Sequence, residues 1–251
     1  MRIPSLVALL AAILMSAVCL GADVAGLLEK ADALDKQGRN REALALCLEA
    51  ERFAPNDAEV LRRAAKQYAE TVLDAKDDST KRAIAEKSLG YARRAVAAAP
   101  KNALTHLALA ICYGRAATVS DNKTKVAYSK LIKQHADDAL ALDPNNDLTH
   151  FVLGSWSYEI ANLGTFLRAI ARVAYGTLPS ATNQDAVRHL EKAVALNPRR
   201  VCSHAALGRC YAAIGDREKA RQSLRRALAL PDSDKGDDLV KKQAREELAK
   251  L

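Results

Sequence analysis

The chain has 251 residues, of which 49% are hydrophobic and only 4% aromatic, and its formal net charge is +8. Alanine and leucine dominate the hydrophobic residues, which is typical of closely packed helices and argues against a β-sandwich. The basic surplus is concentrated between Arg199 and Leu251 without interleaved aromatic residues, so it does not indicate a nucleic-acid-binding surface. It represents either solvated basic helix faces or a surface suited to an acidic partner or an anionic membrane.

The N-terminal segment, residues 1–22, has the pattern of a secretory signal peptide. Arg2 precedes an uncharged, mostly apolar run at residues 3–20. Small residues follow at Gly21 and Ala22, and we expect cleavage after one of these two. The expected location is therefore outside the cytoplasm, periplasmic or secreted.

Two alternatives to a cleaved signal stay open. The apolar run is about long enough to remain as a single membrane anchor. Cys19 also stands where a bacterial lipoprotein would carry its lipid, although Val18 is a poor match to the small residue expected before it. We expect contact with a membrane only if this segment is retained.

Five prolines divide the rest of the chain, and each follows a similar Ala/Leu-rich run. Because proline cannot continue a helix, each one predicts a helix end just before it. The intervals between successive prolines are 45, 44, 54 and 33 residues, and self-similarity of this length indicates an array of helical repeats. The prolines are Pro55, Pro100, Pro144, Pro198 and Pro231.

The last repeat carries the most complete pattern, and that pattern resembles the tetratricopeptide repeat. Small residues are needed where two helices cross closely, so we expect Gly208 and Ala220 to face each other. The resemblance implies an all-α solenoid of about five helix-turn-helix repeats. The matching residues are Leu207, Gly208, Tyr211, Ala220, Leu224 and Ala227.

The same register fits the other repeats. The second, third and fourth repeats are longer than the usual repeat. We expect their additional residues to lie between the two helices of each pair, at residues 77–80, 115–124 and 160–181. The repeat domain then covers residues 23–232, and a charged amphipathic helix within residues 233–251 caps the exposed end. The register residues are Ala31, Ala43, Cys47 and Ala50 in the first repeat, Ala95 in the second, Leu109, Ala110, Tyr113 and Ala139 in the third, and Leu153, Gly154, Ala186, Leu190 and Ala193 in the fourth.

The fourth repeat carries a more specific pattern. A Trp-x-Tyr-Glu sequence ends its first helix, and a Pro-Ser-Ala-Thr sequence precedes the next helix after an inserted segment. This arrangement resembles the regulator of microtubule dynamics family over roughly residues 24–232. The resemblance implies that animal members associate with microtubules or organelle membranes, and the export-like segment indicates an exported, bacterial-type member here. The signature residues are Trp156, Tyr158, Glu159, Pro179, Ser180, Ala181 and Thr182.

Two interpretations of this region stay open. Trp156 either anchors a partner, as tryptophan often does, or packs the inserted helix against its own repeat, which we favour. The inserted segment, residues 163–175, either lies on a membrane or buries its apolar side on the solenoid, which we also favour. That side carries Leu163, Phe166, Leu167 and Ile170.

The sequence contains no motif of a common enzyme class, so we expect no catalytic residue, no cofactor and no metal. His106, His150 and His204 share one repeat position, where we expect core packing, with a pH-sensitive contact as the alternative. A metal site is not expected there, because equivalent positions in stacked repeats do not converge on one ion. Cys202 and Cys210 lie about 12 Å apart on one predicted helix, too far for a disulfide. We expect the four cysteines after residue 22 to be small core residues.

The first helices of such a solenoid line its concave face. A largely apolar groove with a few polar groups suits a peptide or protein partner, so we expect a non-enzymatic adaptor. The alternative is a membrane-associated structural protein that uses a retained anchor and the basic C-terminal half. The groove candidates are Leu104, Leu107, Ile111, Phe151, Ser155, Tyr158, Cys202, Ala205 and Arg209.

Overall fold

The computed structural model describes residues 24–164 (for Leu73 the backbone alone), 168, 171–173 and 179–251. The predicted signal segment lies outside these residues, and so do Phe166, Leu167 and Ile170 of the inserted segment. Within the described residues, no helix is long and apolar enough to cross a bilayer.

The described residues form a stack of helix pairs, which confirms the predicted all-α solenoid. Each pair consists of a first and a second helix, and α11 (Asp237–Leu248) follows the last pair as the predicted cap. A turn of 3-10 helix (Val72–Asp74) extends α3. The pairs are α1 (residues 24–36) with α2 (Asn40–Phe53), α3 (Ala58–Thr71) with α4 (Asp78–Ala98), α5 (Ala103–Thr118) with α6 (Asn122–Leu142), α7 (Asp147–Ala161) with α8 (Asn183–Leu196), and α9 (Val201–Ala213) with α10 (Arg217–Ala229).

The prolines end helices as predicted, since each lies two residues beyond the end of a second helix. In three repeats the residue two positions after the proline caps the next first helix. Asp57, Asn102 and Asn146 each accept hydrogen bonds from backbone N–H groups that the helix cannot satisfy itself. Arg200 occupies the same position before α9 and supplies no side-chain cap.

The tetratricopeptide register is confirmed by burial, because its small residues lie at the contacts between paired helices. A Cβ atom placed on Gly154 would lie 2.6 Å from Leu190 Cγ and 3.2 Å from the Ala186 carbonyl oxygen. On Gly208 it would lie 2.6 Å from Leu224 Cγ. The closest residue to Gly208 is therefore Leu224, one turn beyond the Ala220 that we expected, and its backbone nitrogen would also lie 3.2 Å from that Cβ atom.

The prediction about extra length was wrong for the second and third repeats. Their helices are joined by short connections, and the added residues lengthen the second helices instead. Both α4 and α6 have 21 residues, whereas α2 and α8 have 14. Continuous helix satisfies the backbone hydrogen bonds of added residues, which an irregular loop does not. In the fourth repeat the addition does lie between the paired helices, at residues 162–182.

The four cysteines of the described residues are free thiols. Cys47, Cys112 and Cys210 are buried in the helix contacts, and Cys202 is half-buried. Burial raises the pKa of Cys202 and of Cys210 to about 12, so both thiols stay protonated and unreactive at neutral pH.

Candidate binding groove

The first helices form the inner side of the stack. Helices α3 and α5 pack against each other, and α7 contacts both α5 and α9, whereas second helices of neighbouring pairs make at most slight contact in the described residues. Elements on the concave side of a curved stack lie closest together. The first helices therefore line the concave face, where the groove residues are expected.

Most of the groove candidates on α5, α7 and α9 have half-buried side chains. Leu104 is exposed, whereas Leu107 and Ala205 are buried and contribute to the core. In each helix two candidates stand seven residues apart, which places them on the same side two turns apart. The half-buried candidates are Ile111, Phe151, Ser155, Tyr158, Cys202 and Arg209.

Tyr158 and Arg209 connect two neighbouring first helices. The Arg209 guanidinium lies over the Tyr158 ring, 5.3 Å from its centre, which is the geometry of a cation–π contact. Phe151 and Tyr158 pack against the buried cluster that joins α8 to α9. Burial raises the pKa of Tyr158, so its phenol is neutral at physiological pH. This part of the groove offers an aromatic surface beside a positive charge.

The stack curves far enough to bring distant repeats into contact. Lys235, in the connection before α11, donates to the Asp74 carboxylate at 2.9 Å and to the Glu70 carbonyl oxygen at 3.2 Å. In an open solenoid each repeat contacts only its neighbours. The Lys235–Asp74 contact skips the third, fourth and fifth repeats, so the end of the array is tied to the second repeat.

Arg200 fixes the same connection to the fourth and fifth repeats. Its guanidinium donates to Asp147 at 2.6 Å and to Asp234 at 2.7 Å. The Asp237 carboxylate accepts the backbone N–H groups of Ser233 and Asp234, both at 2.9 Å. Residues 233–236 are therefore held in place by the Asp237 side chain and by side chains of the second and fifth repeats.

The histidines of the first helices each contact the proline that precedes their helix. Nε2 of His106, His150 and His204 lies 3.0 Å from the carbonyl oxygen of the proline six residues earlier. A carbonyl oxygen only accepts, so Nε2 carries the proton in each case. These histidines therefore complete the turn between repeats, in agreement with a structural role.

Two of these histidines also meet a histidine of their second helix, which sequence reasoning missed. The Nδ1 atoms of His106 and His135 lie 3.1 Å apart, and those of His150 and His189 lie 3.2 Å apart. His135 and His189 both stand nine residues before the proline that ends their helix. This shared spacing is the signal in the sequence that could have predicted the contacts of His135 with His106 and of His189 with His150.

The signature residues have several structural roles. Trp156 is buried, and its indole N–H donates to Ser129 of α6, 3.0 Å from both the carbonyl oxygen and Oγ. Trp156 therefore anchors α7 to α6, whereas the expected packing against the inserted helix involves residues that lie largely outside the described part of the chain. Thr182 caps α8 in a reciprocal arrangement with Asp185. Glu159 and Ser180 are exposed, and Pro179 and Ala181 are half-buried.

The paired helices, the small residues at their contacts and the lined concave face define a protein of the tetratricopeptide-repeat class. A thermophilic TPR protein from Thermus thermophilus has the same fold, with a TM-score of 0.63 and 19% identity over 89% of this chain and 99% of that one. The family model for the regulator of microtubule dynamics proteins 1-3 matches residues 27–251, and the chain belongs to that family.

Relatives in the family differ from this chain in length. Regulator of microtubule dynamics protein 3 of Xenopus laevis is 28% identical over 82% of this chain, which spans only 45% of that protein. Regulator of microtubule dynamics protein 1 of Bos taurus is 26% identical over 93% of this chain and 74% of its own length.

Proposed function

We propose that the protein is a non-enzymatic scaffold that holds a peptide segment of a protein partner on its concave face. The proposal is carried by the contact between Tyr158 and Arg209, which places a half-buried aromatic ring beside a half-buried guanidinium on adjacent first helices. Aromatic and arginine side chains are the types that contribute most to protein interfaces. An acidic peptide with an apolar anchor would match this surface.

Crosslinked capture with the purified chain tests the proposal. We expect Phe151→Ala and Arg209→Glu to lose the captured partner because each removes one part of the surface. Arg225→Glu is the matched control, since it makes the same charge change at an exposed position of the second helix α10. An identical set of partners for wild type and Arg209→Glu would refute the use of this groove.

Family membership supports a second candidate function, association with microtubules or a membrane surface. The chain has the basic charge that an acidic surface would attract, with a formal net charge of +8. Co-sedimentation with purified microtubules and flotation with anionic vesicles test the two surfaces separately. Binding that disappears in neutral vesicles or at high salt would support an electrostatic membrane contact.

Export of the chain is also a proposal, and it depends on residues 1–22 alone. The apolar run after Arg2 is its support. N-terminal sequencing of the protein from its native host distinguishes a cleaved signal from a retained anchor. A mature chain that starts at Ala22 or Asp23 supports cleavage, whereas an intact Met1 contradicts it.

A further inference from the structure

Three side chains from one helix pair converge on a small triangle beside α5. Nδ1 of His106 lies 3.1 Å from Nδ1 of His135 and 3.4 Å from Oδ2 of Asp138, and the third side, from His135 to Asp138, is 3.8 Å. Nδ1 of His106 and Oδ2 of Asp138 each have a lone pair that can face the middle of the triangle, and Nδ1 of His135 has one in the tautomer that carries its proton on Nε2. A hydrogen bond between the two imidazoles uses only two of them, so the position of Asp138 needs a further explanation.

The geometry points to a binding site for a divalent transition-metal ion of the zinc type, with Nδ1 of His106, Nδ1 of His135 and a carboxylate oxygen of Asp138 as ligands. The point equidistant from three atoms with these separations lies about 2.0 Å from each, which is the length of a zinc–nitrogen or zinc–oxygen bond. Two imidazoles and one carboxylate leave a fourth position for water.

The first ligand is already oriented as metal-binding histidines usually are. The other ring nitrogen of His106, Nε2, donates its proton to the Pro100 carbonyl oxygen at 3.0 Å, which directs the Nδ1 lone pair into the triangle. In the metal-free protein the proton between the two rings must belong to His135 Nδ1. When the ion binds, this proton moves to Nε2 of His135, so both imidazoles remain neutral ligands.

The site leaves an entrance for the ion. The two histidine side chains are largely buried, with exposed fractions of 11% and 14%, but that of Asp138 is 45%. A hydrated ion can therefore reach the site from the side of the carboxylate.

The next repeat provides an internal comparison. His150 and His189 are arranged like His106 and His135, with ring centres 5.4 Å apart in one pair and 5.3 Å in the other. The residue three positions after His189 is Lys192, where the first site has Asp138. The second pair therefore has the histidine contact without a carboxylate at the corresponding position.

Isothermal titration of the chelator-treated full chain with zinc chloride near neutral pH tests the site. We expect one zinc ion per chain, and a loss of affinity of at least about tenfold in His135→Gln and in Asp138→Asn, since each removes a ligand. The matched control is His189→Gln, which removes the same type of residue from the comparison pair and should leave binding unchanged. Circular dichroism of each variant verifies that its helices are intact.

A gain-of-site variant makes the test independent of any loss of stability. Lys192→Asp supplies the second histidine pair with the missing carboxylate, and we expect the stoichiometry to rise from one zinc ion to two. The inference is overturned if wild type binds no zinc, or if Asp138→Asn binds it as tightly as wild type does. Equal losses in His135→Gln and His189→Gln would also overturn it.

Discussion

Gly208 and Leu224 fit together because the glycine has no side chain: a Cβ atom on Gly208 would lie 2.6 Å from Leu224 Cγ and 2.8 Å from Leu224 Cδ2. Gly154 and Leu190 form the same pair in the preceding repeat. In the third repeat the corresponding residues are Ala110 and Ala136, which lie in one buried cluster. The two side chains of each pair therefore fill the helix crossing together. Either a glycine faces a leucine, or one alanine faces another.

Replacing Gly208 with alanine should destabilise the protein by about 1–3 kcal/mol, because the added methyl group overfills the contact. In the background of Leu224→Ala, which recreates the alanine pair of the third repeat, the same substitution should be nearly neutral. Urea unfolding of the two single variants and the double variant measures this coupling. Additive losses would contradict the size argument.

Gly114 provides the control for that experiment. It lies inside α5, and an added Cβ would meet nothing within 4 Å. Gly114→Ala should therefore stabilise the protein by about 0.5–1 kcal/mol, because alanine loses less backbone entropy in a helix. Opposite signs at Gly114 and Gly208 would show that packing, and not helix propensity, decides the effect at the crossing.

Breaking the contact between Lys235 and Asp74 should open the stack. We expect Lys235→Ala to increase the radius of gyration measured by small-angle scattering, while the free energy of unfolding changes by less than about 1 kcal/mol, as is usual for accessible ion pairs. The charge exchange of Lys235→Asp with Asp74→Lys should restore the compact form. Lys219→Ala removes only local contacts, with Asp216 and with the Tyr211 ring, and should leave the radius unchanged.

Arg200 should contribute more to stability than the accessible ion pairs. Its side chain is 16% exposed and connects Asp147 with Asp234, so Arg200→Ala leaves a largely buried Asp147 carboxylate without this partner. We expect a loss of about 1–3 kcal/mol in urea unfolding. Arg200→Asn should lose less, because asparagine supplies the helix cap that Asn102 and Asn146 provide elsewhere. An equal loss in both variants would contradict the capping role.

Stability should fall when the pH decreases from about 7 to 5. Burial lowers the pKa of His135, His189 and His204, so the folded protein binds protons less readily than the unfolded chain. The histidine contribution is therefore fully present above the unfolded pKa of about 6.5 and is lost as the pH falls through the lower folded values.

Urea unfolding at several pH values measures this dependence. Glu59, which Arg62 and Arg63 keep at a pKa of about 2 despite its burial, does not titrate in the same range. His189→Gln removes one of the three groups and should flatten the profile between pH 7 and 5. A profile that is unchanged in this variant would rule out His189 as a contributor.

Most of the fold was predictable because its signals are local. A proline ends each second helix, and an asparagine or aspartate two residues later starts the next first helix in three of the repeats. Small residues such as Ala43 and Ala186 recur where helices cross, and they are buried as the register requires. These features depend on steric and hydrogen-bonding rules that act within a few residues.

The contacts that shape the groove were less predictable because they join residues far apart in sequence. Lys235 and Asp74 are ordinary charged residues, and no local pattern distinguishes them from their neighbours. Arg200 did carry a signal, since it replaces the expected capping residue before α9. The residues assigned to the groove stay predictions. The repeat register identifies which side of α7 faces inward, but it does not identify what binds there.

The two long second helices show how this array changes in length without changing its core. They exceed α2 and α8 by seven residues, and seven residues fall only about 20° short of two complete helical turns. A helix extended by this unit presents its apolar side in nearly the same direction, whereas five added residues would turn that side by about 140°. Heptads are therefore a natural step of growth for the second helices.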